Sequence, residues 1–182
     1  MEQHVPPGIV RQLPNVLTTL RLLAVPLFAA LMLTADGAES AAAAVVFAFA
    51  AVTDFLDGEL SRRLHAQSRY GRVLDPIADR LLIDVAVVLL WFDGRVPALL
   101  VAIVLARDVV LLFSLLLGKG RHLGIRVNVV GKTGTLVTML GLLLAIVTPP
   151  ETFATQLVLW CGVALLVLGG LVYARTLRRL RT

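Results

Sequence analysis

The chain alternates between long apolar segments and short polar connections, and this pattern predicts six helices. Each segment is near the roughly 20 residues that a helix needs to cross the hydrocarbon core of a membrane. The predicted helices cover about 16–34, 41–60, 73–91, 96–117, 128–147 and 153–174. Residues 1–14 are expected to form a short cytoplasmic lead, and Pro14 and Asn15 are typical of a helix start. The pattern therefore predicts an all-α integral membrane protein with six transmembrane helices in one domain, residues 1–182.

Composition supports a membrane environment. The 182 residues are 58% hydrophobic, and the mean hydropathy of +0.89 is too high for an ordinary soluble domain. The formal charge of +5 comes from basic residues in short connections, which favours a membrane surface and anionic substrates over nucleic acid. The single cysteine, Cys161, excludes a disulfide within one chain.

The distribution of lysine and arginine predicts the orientation of the helices. One set of flanks is basic: Arg11, Arg62, Arg63, Arg69, Arg72, Lys119, Arg121, Arg126, Lys132, Arg175, Arg178, Arg179 and Arg181. The opposite set has only Arg95, together with Asp36, Glu39, Asp93 and Glu151. Because basic flanks stay inside the cell, both termini are expected in the cytoplasm.

Four carboxylates lie between the second and third apolar segments: Asp54, Asp57, Asp75 and Asp79. The first two are three residues apart and the last two are four apart, so each pair shares one face of a helix. Carboxylates at a membrane edge are costly unless they are compensated, and a divalent cation is a suitable partner. The alternative is a solvated loop whose acids pair with arginines: Arg62, Arg63, Arg69 and Arg72.

This arrangement suits phosphate chemistry at the cytoplasmic end of the helices. Two carboxylate pairs could hold two Mg²⁺ or Mn²⁺ ions about 3.5–4 Å apart, bridged by a pyrophosphate. Gly58 and Gly71 allow a phosphate to approach the backbone closely. Arg62 could neutralise charge on a leaving phosphate. An aspartate that metal does not saturate could take a proton from an attacking hydroxyl group.

Charged residues also lie inside the predicted spans. Arg21, Arg80 and Arg107 are roughly 7–15 Å from the cytoplasmic ends of their helices. For Arg21, snorkelling to the headgroups and a buried position are equally good interpretations. Arg107 precedes Asp108, which favours an internal pair or a cavity lining. Asp84 lies four residues after Arg80 and could balance its charge.

The acidic segment resembles the signature of a known family. It reads Asp54-x2-Asp57-Gly58-x2-Ser61-Arg62-x8-Gly71-x3-Asp75-x3-Asp79. This is similar to the pattern DxxDGxxAR-x8-GxxxDxxxD of the CDP-alcohol phosphatidyltransferases, with Ser61 in place of the usual alanine. Residues 13–18 through Arg21 resemble the family's opening PNxLTxxR, and Gly131, Lys132 and Thr135 resemble its GKxxT element.

The resemblance implies a fold, a reaction and a set of site residues. Six helices would enclose a cavity open to the cytoplasm, where an alcohol attacks the phosphatidyl phosphorus of CDP-diacylglycerol and CMP leaves. It implies that Asp54, Asp57 and Asp75 bind metal, with Asp79 both near the metal and the general base. The residues that would hold the cytidine diphosphate are Gly58, Ser61, Arg62, Gly71, Asn15 and Arg21. The protein would lie in a bacterial plasma membrane, surrounded by membrane lipids, as a monomer or as a homodimer.

The acceptor alcohol is less strongly indicated. The pairs Asp79-Arg80 and Arg107-Asp108 resemble a cardiolipin synthase, as does the segment from Val127 to Lys132. Members that use glycerol 3-phosphate more often have Gly-Lys-x-Lys-Thr where this chain has the run 131–135, which lacks the second lysine. Phosphatidylglycerol is therefore the expected acceptor, bound by Arg107 and Lys132, and glycerol 3-phosphate is the alternative.

Two interpretations from other classes are weighed against the enzyme. In a divalent-cation carrier or channel the aspartates would form a selectivity ring, but the acids cluster at one membrane face without continuing across. In a catalytically inactive lipid-binding scaffold some of the aspartates would be expendable, whereas all four are present. Cation-dependent release of CMP from CDP-diacylglycerol distinguishes the enzyme from both.

Overall fold

The structure, a computed structural model, describes the backbone of residues 8–35, 39–64, 71–116 and 129–179 and the side chains of 16–35, 39–53, 80–110, 113 and 130–172. Six α-helices account for most of these residues, which contain no β-strand. The helices are α1 (Gly8–Thr34), α2 (Ala41–Leu64), α3 (Gly71–Phe92), α4 (Ala98–Leu116), α5 (Val129–Val147) and α6 (Phe153–Arg179).

The first helix begins earlier than the sequence pattern predicts. It starts at Gly8, so residues 8–14, half of the expected lead, are helical and Pro14 lies inside α1 rather than at its start. A proline inside a helix removes one backbone hydrogen bond, and its ring opposes a straight axis. The helix nevertheless continues through Pro14 to Thr34. The second and sixth helices are also longer than expected, reaching Leu64 and Arg179.

Within the part of the chain whose side chains the structure describes, three helices contain an apolar stretch long enough to cross a membrane: Val16–Thr34 in α1, Val130–Val147 in α5 and Phe153–Val172 in α6. Stretches of 18 to 20 residues extend about 27–30 Å at 1.5 Å per residue, which matches the hydrocarbon thickness. A shorter apolar stretch, Ala41–Thr53, lies in α2. The chain is therefore a membrane protein, and the crossing of the membrane by all six helices stays a prediction.

The core is lined by apolar side chains from all six helices. Helix α1 packs against α2 and α3, α5 contacts α2, α3 and α6, and α4 contacts α3 and α6. The rings of Phe28 in α1 and Phe47 in α2 are fully buried, with their centroids 5.6 Å apart. This packing joins the helix before the acidic segment to the two helices that carry it.

Helices α5 and α6 pack closely because small residues line their contact. A Cβ atom added to Gly162 would lie 2.7 Å from the backbone nitrogen of Thr138, and one added to Gly169 would lie 2.7 Å from Cα of Gly131. The same antiparallel register places Gly134 against Leu166. Glycine at these positions lets the two backbones approach, so dispersion contacts replace the hydrophobic driving force that lipid does not supply.

The turn between α3 and α4 ends the third helix at a glycine. Gly94 has a φ of 71°, a conformation that glycine adopts without steric cost. The amide of Gly94 donates to the carbonyl of Trp91 at 2.9 Å, and the amide of Arg95 donates to that of Leu90 at 2.8 Å. These two bonds form a Schellman motif, which satisfies carbonyl groups at the end of a helix.

Arg95 is buried rather than exposed at the membrane surface. Only 3% of the residue is exposed, and its Nη1 donates to the carbonyl oxygens of Ala145 at 3.1 Å and Thr148 at 2.8 Å. A cation is favourable at the C-terminus of a helix, where the backbone carbonyls concentrate negative charge. The one basic residue of the acidic flanks therefore caps α5 and does not act as a surface charge.

The directions of the helices define two ends of the bundle. Arg95 joins the α3–α4 turn to the end of α5, and α5 runs antiparallel to α6 in the contact described above. The other end then contains the start of α3, the end of α4 and the start of α5. The end of α2 is also there, because only residues 65–70 separate it from α3. We call the four aspartates Asp54, Asp57, Asp75 and Asp79 with the residues between them the acidic motif, and we call this end of the bundle the motif end.

Candidate active site

The four aspartates of the acidic motif occupy the facing ends of two helices. Asp54 and Asp57 belong to the last three turns of α2, and Asp75 and Asp79 to the first three turns of α3. The two helices contact each other, so their backbones carry both pairs to the motif end. Since the helical backbone is continuous through each pair, the prediction that each pair shares a helix face is confirmed at the level of the backbone.

The side chains of the motif lie outside the described residues. This applies to the four aspartates and to the predicted contacts of the cytidine diphosphate at Asn15, Gly58, Ser61, Arg62 and Gly71. Their roles stay predictions. Among the side chains that the structure does describe, no three His, Cys, Asp or Glu residues form a group that could hold a metal ion.

Arg21 lies inside the bundle. Only 1% of the residue is exposed, and Thr18, one turn earlier on α1, is also buried. The alternative in which Arg21 extends to the headgroups is therefore wrong. Helix α1 packs against both α2 and α3, which carry the acidic motif. A buried guanidinium group is costly in a membrane unless anionic groups compensate it, as acidic neighbours or a phosphate ligand would do.

A second group of charges connects α3 to α4. Nη1 of Arg107 lies 2.6 Å from Oδ1 of Asp108, and Nη1 of Arg80 lies 3.4 Å from the same oxygen. Arg80 also donates to the backbone carbonyl of Asp108 at 3.3 Å. Asp108 is thus shared by two arginines from different helices, and the predicted internal pair of Arg107 and Asp108 is confirmed.

Asp84 is the fourth member of this group. It interacts electrostatically with Asp108, Arg80 and Arg107, and its buried Oδ1 atom has no hydrogen-bond partner among the described residues. No ion pair shorter than 4 Å joins Arg80 to Asp84 among the described side chains, so the predicted balance of these two charges stays a prediction, and Arg80 instead reaches Asp108 on the neighbouring helix. We call Arg80, Asp84, Arg107 and Asp108 the charge cluster.

Sequence spacing could not reveal the link between Arg80 and Asp108, because 28 positions separate them and the pairing depends on how α3 and α4 align. The only sequence signal was the presence of charged residues inside apolar segments, which marks a functional region in a membrane protein. Because Arg80 directly follows Asp79, its bonds to Asp108 fix this turn of α3 against α4. The charge cluster therefore borders the acidic motif.

Lys132 lies in the first turn of α5, at the motif end, and its side chain is exposed. The neighbouring residues of the predicted GKxxT element have structural explanations. Gly131 is part of the close contact with Gly169, and the Thr135 hydroxyl donates to the carbonyl of Gly131 at 3.1 Å. Lys132 shares the motif end with Arg107, and its proximity to that residue stays a prediction.

Comparisons with a family model and with individual proteins identify the same family of enzymes as similar to this chain. The family model described as CDP-alcohol phosphatidyltransferase matches residues 11–168. A Pseudomonas fluorescens protein named "CDP-diacylglycerol--glycerol-3-phosphate 3-phosphatidyltransferase" is 37% identical over 180 residues, or 93% of this chain and 88% of that protein. A protein of the same name from Escherichia coli is 32% identical over 71% of this chain and 74% of its own length. The "Cardiolipin synthase (CMP-forming)" of Streptomyces coelicolor is 38% identical over 74% of this chain and 64% of its own length.

Proposed function

This chain belongs to the CDP-alcohol phosphatidyltransferase family, and we propose that it transfers the phosphatidyl group of CDP-diacylglycerol to phosphatidylglycerol, releasing CMP. One observation carries this proposal: the complete acidic motif lies on the facing ends of α2 and α3. A helix pair with carboxylates at one end suits a substrate whose polar head meets the protein at the membrane boundary while its acyl chains stay in lipid.

Metal dependence follows from the chemistry of the motif. Asp54, Asp57, Asp75 and Asp79 supply only oxygen ligands, the type that Mg²⁺ and Mn²⁺ prefer. Two helices in contact can bring two such pairs to one site, so the donor set fits two ions. When bound, the metal neutralises the pyrophosphate of CDP-diacylglycerol and polarises its phosphorus.

The protein's own groups perform the remaining steps. Asp79 accepts the proton of the acceptor hydroxyl group as its oxygen attacks the phosphatidyl phosphorus. The bond from that phosphorus to the oxygen of CMP breaks, and CMP carries away the electron pair. Arg62 stabilises the charge that develops on this leaving phosphate. Asn15, Arg21, Gly58, Ser61 and Gly71 hold the cytidine diphosphate, and the complete burial of Arg21 supports its part in that role.

The arrangement in the membrane is part of the proposal. All six helices cross the bacterial plasma membrane, both termini are cytoplasmic, and the motif end opens to the cytoplasm as a cavity. The basic connections between the helices belong to the motif end, and this supports the arrangement because basic flanks stay on the cytoplasmic side of a membrane. Such an enzyme would work as a monomer or as a homodimer, which cross-linking in native membranes would distinguish.

Phosphatidylglycerol is proposed as the acceptor because few cations are available for a free phosphomonoester. Arg107 shares Asp108 with Arg80, so its charge is partly compensated, and the run from Gly131 to Thr135 has only one lysine. A phosphodiester with a single charge and its own lipid anchor needs fewer cationic contacts. Glycerol 3-phosphate is the second candidate, supported by the name of the Pseudomonas fluorescens relative.

The test is a product assay. Purified protein in lipid–detergent micelles receives labelled CDP-diacylglycerol, Mg²⁺ and both acceptors at matched levels, and thin-layer chromatography separates the lipid products. We expect labelled cardiolipin and release of CMP. Phosphatidylglycerophosphate as the main product would contradict the acceptor but not the reaction, whereas divalent-cation transport without nucleotide turnover would contradict the enzyme. The control is Asp93→Asn, which removes a carboxylate from the opposite end of the bundle.

A further inference from the structure

In the proposed arrangement of six spans, the charge cluster lies at a depth where exposed charge requires a polar space. Arg80 is in the third turn of α3, about 13 Å from its start at 1.5 Å per residue. The side chains of Arg80 and Arg107 are 28% and 21% exposed. Guanidinium groups that face lipid at such a depth are costly. Their exposed parts therefore border a polar space between the helices rather than hydrocarbon.

The carboxylates of the cluster lie behind the arginines. Asp108 is only 5% exposed, in contrast to the two arginines that it binds. The Oδ1 atom of Asp84 is buried as well. An anionic ligand in the polar space would thus meet guanidinium groups first, with the Asp108 carboxylate immediately beyond them and the half-buried Asp84 nearby.

A compensated pair of arginines discriminates between anions by their charge. Each buried carboxylate repels a phosphate group in proportion to the charge on that phosphate, and the interaction is strong where the effective dielectric constant is low. A phosphodiester has one negative charge, whereas a phosphomonoester, with a second pKa of about 6, has nearly two at neutral pH. Arg107 can donate hydrogen bonds to either anion. The carboxylates therefore penalise the phosphomonoester more.

We infer that Asp108, together with Asp84, determines acceptor specificity by compensating Arg80 and Arg107, so that the cluster accepts a phosphodiester monoanion and disfavours a phosphomonoester dianion. This inference rests on the proposed transferase function and assigns a role to two residues outside the acidic motif. The carboxylates act through the arginines and do not touch the reacting atoms.

The test measures acceptor preference in Asp108→Asn and Asp84→Asn, two nearly isosteric changes that remove one charge each. The readout is the ratio of kcat/KM for phosphatidylglycerol to that for glycerol 3-phosphate at pH 7.5, relative to wild type. For an acceptor that is not turned over, the readout is instead the change in its inhibition constant between variant and wild type. We expect each variant to shift the ratio about tenfold towards glycerol 3-phosphate. Asp93→Asn, at the other end of α3, should leave it unchanged.

A second measurement isolates the effect of charge. At pH 5.5 most glycerol 3-phosphate is a monoanion, so the difference between Asp108→Asn and wild type should largely disappear. Asp108→Glu, which keeps the charge, should restore the wild-type ratio at pH 7.5. If Asp108→Asn does not fold, as judged by gel filtration and thermal unfolding, Asp84→Asn decides, because Asp84 makes no ion pair shorter than 4 Å with the described side chains.

An equal loss of activity with both acceptors would mean that the carboxylates are only structural, and it would overturn the inference. An unchanged ratio, or a shift that persists at pH 5.5, would do the same. The proposed function can be contradicted independently of this inference, because it concerns which acceptor the wild-type protein prefers. The inference concerns the change in preference between wild type and variant, which is measurable whichever acceptor wild type uses.

Discussion

The guanidinium group of Arg95 donates a 2.8 Å hydrogen bond to the carbonyl oxygen of Thr148, across 53 positions of the chain. This bond joins the α3–α4 turn to the end of α5. The side-chain Nε2 of Gln156, in the first turn of α6, donates to the backbone carbonyl of Arg95 at 2.9 Å. Arg95 therefore joins four helix ends opposite the acidic motif, through its side chain to the end of α5 and through its backbone carbonyl to the start of α6.

We expect Arg95→Ala to lower the stability of the protein without a direct effect on the chemistry. Removing the side chain leaves the carbonyl groups of Ala145 and Thr148 without these bonds, at a cost of about 1–3 kcal/mol. Thermal unfolding in detergent measures the change. The control is Glu151→Gln, which removes an exposed charge from the same end and should have little effect. Similar melting temperatures for both variants would contradict the structural role of Arg95.

The contact between α5 and α6 predicts a difference between two glycines of the same helix. Gly162→Ala places a methyl group within 2.8 Å of three atoms of Thr138, two of them in the backbone, whereas Gly170→Ala meets nothing within 4 Å. We expect the first change to cost about 1–3 kcal/mol, as overpacking does. The second should be neutral or slightly stabilising, because alanine favours a helix. Thermal unfolding compares them, and equal effects would show that the two backbones are farther apart than described.

We expect Asp57→Asn to abolish transferase activity while the protein remains folded in the membrane. Asparagine keeps the size of the side chain but removes its charge, so affinity for a divalent cation falls sharply. The assay is CMP release as Mg²⁺ is varied, with Asp93→Asn as the control. Near-normal turnover by Asp57→Asn at ordinary Mg²⁺ concentrations would exclude the proposed metal site.

Asp79→Asn should impair transfer of the phosphatidyl group while retaining the binding of CDP-diacylglycerol. If Asp79 accepts the proton of the attacking hydroxyl group, its amide analogue retains affinity for CDP-diacylglycerol but loses most of its turnover, on the order of 10²–10⁴-fold. Equilibrium binding of labelled CDP-diacylglycerol and single-turnover kinetics measure the two effects. A loss of rate that saturating CDP-diacylglycerol restores would mean that Asp79 serves only as a ligand.

Lys132→Ala should slow transfer more than it weakens nucleotide binding, because the lysine is proposed to bind the acceptor. Its exposed side chain in the first turn of α5 makes misfolding an improbable cause of any loss. Lys132→Arg, which keeps the charge, should retain most of the activity. Nucleotide affinity and the KM of the acceptor distinguish the two sites, and an effect on nucleotide affinity alone would contradict the assignment.

Much of this protein is determined by local sequence. The apolar segments predict six helices because a segment of about 20 apolar residues satisfies its own backbone polar groups in lipid only as a helix. The acidic motif is recognisable because the spacing of its aspartates places each pair on one helix face, whatever the rest of the fold does. The family could therefore be identified from a few residues before any contact between helices was known.

The tertiary structure decided how charges inside the spans are compensated. Whether Arg21 extends to the headgroups or is buried depends on which neighbours cover α1, and Arg95 caps α5 only because the bundle brings a distant helix end to it. The sharing of Asp108 by Arg80 and Arg107 depends on the alignment of α3 with α4. Local sequence does not determine such pairings, because apolar helices slide and rotate against one another until side-chain packing and hydrogen bonds select one register.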